Sequence, residues 1–175
     1  MTDDLPRQLG DTALCQGLTR SELVRVAESG RVEHWAEGSV VMEEGTQGPR
    51  VVVLLDGCVQ IFKRGDDGEE RMIAEVGPGG VLGEVSLLHD RPRSATVRAA
   101  KPLRVFAMDR STFQEMVEDG DPAALKMGLA IARVLSNRVV ALNDKVVDLL
   151  EHISGHQPVE EFSEYRQQLF TKWEF

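Results

Sequence analysis

No stretch of this 175-residue chain approaches the roughly 20 consecutive apolar residues that a helix needs to cross a bilayer. The N-terminus, MTDDLPRQLG, is polar and lacks the apolar segment of a signal peptide. The hydrophobic fraction of 42% and the charged fraction of 28% are ordinary for a globular domain, so neither a disordered nor a fibrous protein is expected. The sequence therefore predicts a cytoplasmic protein that does not associate with membranes.

Basic residues are scarce relative to acidic ones. Lys and Arg number 20 against 29 Asp and Glu, which gives a net charge of −9 at pH 7. A broad nucleic-acid surface needs clustered Lys and Arg to neutralise phosphates. The charge balance therefore argues against nucleic acid as a partner, although it leaves room for a local basic site.

The residue patterns of metal and catalytic sites are also missing. The four histidines include no His-x-His pair of the kind that metal-dependent β-barrel enzymes use. No serine stands in a Gly-x-Ser-x-Gly context, and the Gly77–Gly80 turn lacks the Gly-Lys-Ser/Thr of a P-loop. The two cysteines, Cys15 and Cys58, lie far apart and are expected to be buried, reduced thiols. We therefore expect no catalytic residues, no metal site and a protein that is not an enzyme.

What the chain does contain is a series of short apolar segments separated by glycine turns. Leu5 to about Ser29 has helical character, with Thr19 and Glu22 in the spacing of a capping box. From Val32 to about Met108 the pattern changes to short β segments between turn residues. The candidate strands are 40–42, 50–55, 59–63, 71–76, 95–99 and 103–108.

Helical sequence returns at the C-terminal side, with a short helix over 111–118 and a long one from Asp121-Pro122 to about His152. This order predicts a mainly β fold, an antiparallel β jelly roll or barrel with N-terminal helices and a long C-terminal helix. The expected parts are an N-terminal helical segment (1–30), the β core (31–110), the short and long helices (111–154) and a tail helix (155–175).

The predicted tail helix contains most of the aromatic residues of the chain, Phe162, Tyr165, Phe170, Trp173 and Phe175. With Val159 and Leu169 they form an amphipathic pattern. Three roles are compatible with it: a cover for an exposed edge of the barrel, a lid over a ligand, or a docking element for another protein.

The segment GEVSLLHDRPRSATV, from Gly83 to Val97, places charges of both signs among residues typical of a core. Glu84 to Leu88 is predicted to form one helical turn, and a glycine-entered turn offers backbone N–H groups that can hold an anion. Arg93 can add a two-pronged contact to phosphate oxygens, whereas the Glu84 carboxylate can only accept, as from ribose hydroxyls. From the residues alone, a structural ion pair and a site for a small anionic ligand both stay open.

The same segment resembles the phosphate-binding cassette of cyclic nucleotide-binding domains, in the pattern G-E-V-S-L-L followed by P-R-S-A-T-V. The resemblance extends over most of the chain, up to the long helix. It implies that Glu84 binds the ribose 2′-hydroxyl and that Arg93 pairs with the cyclic phosphate. The other pocket residues that it implies are Gly83, Val85 and Ser86, through their backbone, and Ser94 and Ala95, against the phosphate.

The resemblance implies a cyclic nucleotide as ligand and leaves cAMP and cGMP both open, since relatives with Ser or Thr after the cassette arginine include binders of each. In bacterial relatives the purine also touches the long helix, whose matching region here is Ser136–Val139. Asn137 and Arg138 are therefore candidate purine contacts. A threonine-serine pair that contacts adenine in some relatives is absent at this point.

The long helix carries a heptad pattern, with Ala132, Val139, Val146 and Ile153 at one position and Leu135, Leu142 and Leu149 at the other. β-Branched residues alternating with leucine in this way favour a parallel two-stranded coiled coil. Alternatively the helix packs on its own strands, for which a second apolar set, including Ile131, Val140 and Val147, is available. We expect a homodimer through residues 122–153.

Together with the resemblance, these features predict a stand-alone cyclic nucleotide sensor that signals to an unknown effector protein by movement of its C-terminal helices. Too few residues follow the long helix for the winged helix that DNA-binding relatives carry. The alternative is a structural or docking protein with a vestigial pocket.

Overall fold

The structure is a computed structural model that describes residues 4–88 and 91–154, so the predicted tail helix lies outside the described residues. Two short helices come first, α1 (Asp4–Gly10) and α2 (Arg20–Glu28). The predicted capping box is confirmed at the start of α2. The Glu22 N–H donates to Thr19 Oγ1 at 3.4 Å, and the Thr19 N–H donates to the Glu22 carboxylate at 2.6 Å.

Eight strands follow the two helices. They are β1 (Arg31–Trp35), β2 (Val40–Met42), β3 (Arg50–Asp56), β4 (Val59–Arg64), β5 (Glu70–Val76), β6 (Val81–Leu82), β7 (Thr96–Ala99) and β8 (Leu103–Asp109). A helix of one turn, α3 (Val85–Leu88), stands between β6 and β7. All six candidate strands are present, with ends that differ by one residue at most.

Two strands, β1 and β6, are absent from the sequence-based candidates. In β1, charged side chains occupy positions where apolar ones would mark a strand. They are held by ion pairs to β3 and β8 instead: Arg50 Nη1 lies 3.0 Å from Glu33 Oε1, and Arg31 Nη1 lies 3.0 Å from Asp109 Oδ2. Strand β6 has only two residues, too few to show an alternating pattern.

The strands form two antiparallel sheets, in the orders β1-β8-β3-β6 and β2-β7-β4-β5. The predicted antiparallel jelly-roll architecture is confirmed, as an open β-roll of two sheets and not a closed barrel. Val52 and Leu54 lie in a buried cluster with residues of the second sheet, such as Val59 and Val97. On the other face Val51 and Val53 are fully buried as well, so the middle of this strand is covered on both faces.

The last two helices are α4 (Arg110–Glu118) and α5 (Pro122–Ser154). The predicted start of α5 is confirmed: Pro122 is its first residue, and Asp121 Oδ1 accepts from the Ala123 N–H at 2.8 Å. The early part of this helix is buried along one face, with Met127 and Ile131 both 0% exposed. The helix therefore begins as part of the core of the domain.

The chain divides into two compact units, and the boundary falls after Val134, within α5. Beyond it the helix exposes large apolar side chains, including Leu142 at 61%. Of the second apolar set, Ile131 is buried, whereas Val140 and Val147 are exposed by 56% and 51%. The described large apolar side chains of both sets between Val139 and Val147 are thus exposed in the single chain.

The two cysteines differ in burial, and neither forms a disulfide. Cys15 is buried as predicted, and burial raises the pKa of its thiol to about 11. Cys58 is only half-buried, because it lies in the turn that joins β3 to β4, so the prediction of two buried thiols is wrong there. No helix in residues 4–88 and 91–154 combines the length and apolarity needed to cross a membrane.

Candidate functional site

The candidate site begins where β6 ends and the chain turns into α3. Gly83 has a φ of 73°, a left-handed conformation that favours glycine. The Ser86 N–H then donates to the Gly83 carbonyl at 3.0 Å, and the Leu87 N–H donates to the Glu84 carbonyl at 3.1 Å. The single helical turn predicted for this segment is therefore present, directly after a buried strand.

The guanidinium of Arg93 lies against this turn and is almost entirely buried, with 7% of the residue exposed. Its Nη1 donates to Ser86 Oγ at 3.1 Å, and its Nη2 donates to the Arg50 carbonyl at 2.9 Å. Burial, and then the charge of Arg50, lower the pKa of Arg93, whereas the Glu84 carboxylate acts in the opposite direction. Glu84 is itself 3% exposed. The site thus places a buried cation within the field of a buried carboxylate.

Two glycines make room for this guanidinium. A Cβ on Gly83 would lie 2.2 Å from Arg93 Nη1, and a Cβ on Gly48 would lie 2.6 Å from Arg93 Nε. Because such contacts are far shorter than van der Waals distance, any side chain at either position would displace the guanidinium. Gly48 belongs to the loop of residues 43–49 that joins β2 to β3, a loop that the sequence does not assign to the site.

The same loop holds the backbone of the second half of the cassette, Pro92 to Val97. The Gly45 N–H donates to the Arg93 carbonyl at 2.8 Å, and the Arg93 N–H donates to the Thr46 carbonyl at 2.9 Å. The Glu44 N–H donates to Thr96 Oγ1 at 3.1 Å. In the sequence this loop shows only the turn signal Glu44-Gly45, and nothing in that signal indicates which distant segment the loop contacts.

A cavity of about 450 Å³ lies beside Arg93. Its walls come from residues 40–43 and 46–50, together with Arg93 and Asp109. Among the described residues predicted to bind ligand, Arg93 alone lines this cavity. Arg93 therefore borders this cavity, while its guanidinium is held by Ser86 and the Arg50 carbonyl. Residues 4–88 and 91–154 contain no group of three or more His, Cys, Asp or Glu side chains arranged to hold a metal.

The structure brings four of the predicted site residues together: Gly83, Glu84, Ser86 and Arg93. Next to them in the chain, Val85 is 42% exposed, Ser94 is exposed and Ala95 is half-buried. The two predicted purine contacts, Asn137 and Arg138, are exposed residues of α5 and belong to the second compact unit. Their part in ligand binding stays a prediction.

The part of the chain that contains this candidate site matches a known protein family. Residues 32–119, about half of the chain, match the family model described as "Cyclic nucleotide-binding domain". The matched range contains both halves of the cassette and the loop that holds Arg93. The chain belongs to the cyclic nucleotide-binding domain family.

Individual relatives are distant in sequence. The chain is 25% identical over 142 residues to the "CRP-like cAMP-activated global transcriptional regulator" of Mycobacterium tuberculosis, a match that covers 81% of this chain and 62% of the relative. A cyclic nucleotide-binding domain from Methylobacillus flagellatus has the same fold, with a TM-score of 0.74, 19% identity and coverage of 84% and 83% of the two chains. The regulatory domain of Toxoplasma gondii PKA, crystallised with cAMP, gives a TM-score of 0.61 at 25% identity and coverage of 75% and 57%. The chain thus spans less than two thirds of the length of its curated relatives.

Proposed function

We propose that this protein is a cyclic nucleotide sensor, a binding module whose ligand is cAMP. The observation that carries the proposal is the buried guanidinium of Arg93, set between Gly48 and Gly83, with the buried carboxylate of Glu84 close enough to affect its pKa. The names of two relatives, from Mycobacterium tuberculosis and Toxoplasma gondii, refer to cAMP and support this ligand.

The chemistry of the arginine favours a phosphate ligand. Its side-chain hydrogen bonds to Ser86 Oγ and to the Arg50 carbonyl go to uncharged acceptors. A guanidinium carries five N–H donors, and a phosphate oxygen is a stronger acceptor than either neutral group because it is charged. An anion at this point would also offset the unfavourable burial of the positive charge. Ligand binding would therefore complete an interaction that the protein has already prepared.

Glu84 has the complementary role. Its carboxylate can accept hydrogen bonds and cannot bind a phosphate, so the 2′-hydroxyl of the ribose is the group that suits it. Gly83, Val85 and Ser86 supply backbone to the same turn, and Ser94 and Ala95 complete the phosphate side. Asn137 and Arg138 are proposed as contacts to the purine.

We also propose that the protein acts as a homodimer through residues 122–153 and passes the signal to an effector protein by movement of its C-terminal helices. The exposed apolar side chains of α5, Val139 at 45%, Leu142 at 61% and Val146 at 43%, support a helix that meets another surface. Coupling of ligand to helix position requires that cAMP prefer one arrangement of the helices, by about 1–3 kcal/mol in typical cases.

Calorimetric titration with cAMP and with cGMP tests the ligand directly. We expect saturable binding of cAMP with one site per chain and weaker binding of cGMP. Tighter binding of cGMP would support the proposed sensor function and identify cGMP, rather than cAMP, as the ligand. If neither nucleotide binds while the chain still forms dimers, the exposed helix favours the second candidate function, a docking protein with a vestigial pocket.

A further inference from the structure

A pair of charged side chains holds the second half of the cassette from outside. Lys63, near the end of β4, donates from Nζ to the Ser94 carbonyl at 2.7 Å and also pairs with the Glu44 carboxylate. The other carboxylate oxygen of Glu44 accepts from the Arg64 N–H at 3.0 Å. Lys63 and this backbone N–H together keep the pKa of Glu44 below its ordinary value. Both charges are therefore engaged with each other and with the backbone.

These contacts fix the chain on either side of one peptide bond. Before it, the loop at Gly45 and Thr46 pairs with the backbone of Arg93. After it, Thr96 begins strand β7, and its Oγ1 accepts a hydrogen bond from the Glu44 N–H. Lys63 supplies the contact in the middle, at the Ser94 carbonyl.

The middle contact has a geometric consequence for Ala95. The Ser94 carbonyl and the Ala95 N–H belong to one planar trans peptide, so they point in opposite directions. A lysine that fixes the carbonyl therefore fixes the direction of the N–H as well. Among the described residues, the Ala95 N–H donates to no acceptor, which leaves it available to a ligand.

We propose that Lys63 and Glu44 are positioning residues of the cassette, which aim the Ser94–Ala95 peptide so that the Ala95 N–H faces the ligand phosphate. This inference rests on the proposed function. Lys63 acts through the backbone and does not touch the ligand, because its ammonium group is already shared between Glu44 and the Ser94 carbonyl.

Titration of the full chain with cAMP tests the proposal. Lys63→Met keeps the aliphatic stem and should weaken binding about tenfold, since a charge-assisted hydrogen bond is lost. Lys63→Arg should recover most of the affinity, because a guanidinium can still donate to both acceptors. Glu44→Gln should give an intermediate loss. The matched control is Lys101→Met, which removes one positive charge from an exposed turn and should leave affinity within about twofold of wild type.

Two further readouts separate positioning from simple attraction of an anion. The loss in Lys63→Met should be the same at low and high salt, because screening weakens a direct attraction but not a backbone orientation. On addition of saturating cAMP, hydrogen exchange at Ala95 should slow in wild type and in Lys101→Met, because the N–H gains an acceptor, and should slow much less in Lys63→Met.

The outcomes are distinguishable. If wild type binds cAMP and Lys63→Met binds it equally well, or loses affinity only at low salt, the positioning role is overturned and the proposed function stands. If wild type binds no cyclic nucleotide, the proposed function falls and the inference falls with it. Circular dichroism of each variant shows that the fold is intact, and Lys63→Arg remains informative if Lys63→Met does not fold.

Discussion

The cassette and the part of α5 beyond Val134 depart in opposite ways from the usual distribution of charged and apolar residues between surface and core. In the cassette, two ionisable residues, Glu84 and Arg93, are 3% and 7% exposed. Beyond Val134, α5 leaves Leu142 and Val140 exposed by 61% and 56%. Charged groups are rarely buried, and large apolar groups are rarely clustered in water. Each region is therefore suited to binding, the first to a small anion and the second to an apolar surface.

The largest effect is expected where the buried charge itself is removed. Arg93→Ala should weaken cAMP binding by about 2–4 kcal/mol, because a charge-assisted bidentate contact in a desolvated site is lost. Arg93→Lys should restore only part of this, since a point charge cannot reproduce the planar fork. Calorimetry measures both variants. An Arg93→Ala protein that binds cAMP as wild type does would contradict the whole account of the cassette.

The second test removes the apolar character of the helix. Leu142→Glu would bring a charge into the proposed seam, and burial of an unpaired charge costs several kcal/mol, so the variant should be monomeric by light scattering. Asn143→Glu adds the same charge at a neighbouring exposed position and should leave the dimer intact. Wild-type protein that is already monomeric at high concentration would contradict the proposed homodimer.

A third test asks whether the space around the guanidinium matters. Gly83 and Gly79 both have positive φ, 73° and 83°, but only at Gly83 would a Cβ meet the arginine. Either change to Ala should destabilise the fold by about 1 kcal/mol through the left-handed backbone. Gly83→Ala should in addition lose most of its cAMP affinity, whereas Gly79→Ala should keep it. Thermal unfolding measures the first effect and calorimetry the second.

The fourth test concerns the buried carboxylate. If Glu84 accepts the ribose 2′-hydroxyl, 2′-deoxy-cAMP should bind about tenfold more weakly than cAMP, a difference near 1.4 kcal/mol. In Glu84→Gln the gap between the two ligands should narrow. Equal affinity of wild type for both ligands would assign Glu84 a structural role only.

The smallest effect is expected at the anchored start of α5, where Lys126 Nζ lies 2.8 Å from a Glu22 carboxylate oxygen. The hydrogen bond from Lys126, followed by that from the Thr19 backbone, lowers the pKa of Glu22 from 4.5 to about 2. The folded state thus binds this proton less readily than the unfolded state. The contribution of Glu22 to stability is therefore full above about pH 4.5 and is lost as the pH falls toward 2. Unfolding of Glu22→Gln across this range should show a flatter pH dependence than wild type.

Prediction from the sequence succeeds where a feature is local. The strand candidates bounded by glycine turns, the helical turn of the cassette and the caps at Thr19 and Asp121 depend on neighbouring residues, and all are present. Strand β1 was not predicted because its charges are matched across strands, as between Glu33 and Arg50. A single sequence records no such pairing.

The residues of the candidate site show the same difference between local features and features that depend on tertiary contacts. Glu84 and Arg93 can be identified from their spacing and from a family pattern. Gly48 and Lys63 cannot, because their importance depends on which distant segment their loop or strand end contacts. Val140 is exposed although its spacing is that of a core residue, because the spacing shows that a helix face is apolar but not what covers it.

The arginine fork has a consequence for rates. Ser86 and the Arg50 carbonyl already hold the guanidinium in place, so an incoming phosphate need not wait for that side chain to reorganise. Association should then be limited by encounter, and variants of the site should differ chiefly in how fast the nucleotide leaves. If the protein is the sensor proposed here, it would follow a fall in nucleotide concentration only as quickly as its bound complex dissociates, and the contacts around Arg93 would set the duration of the signal.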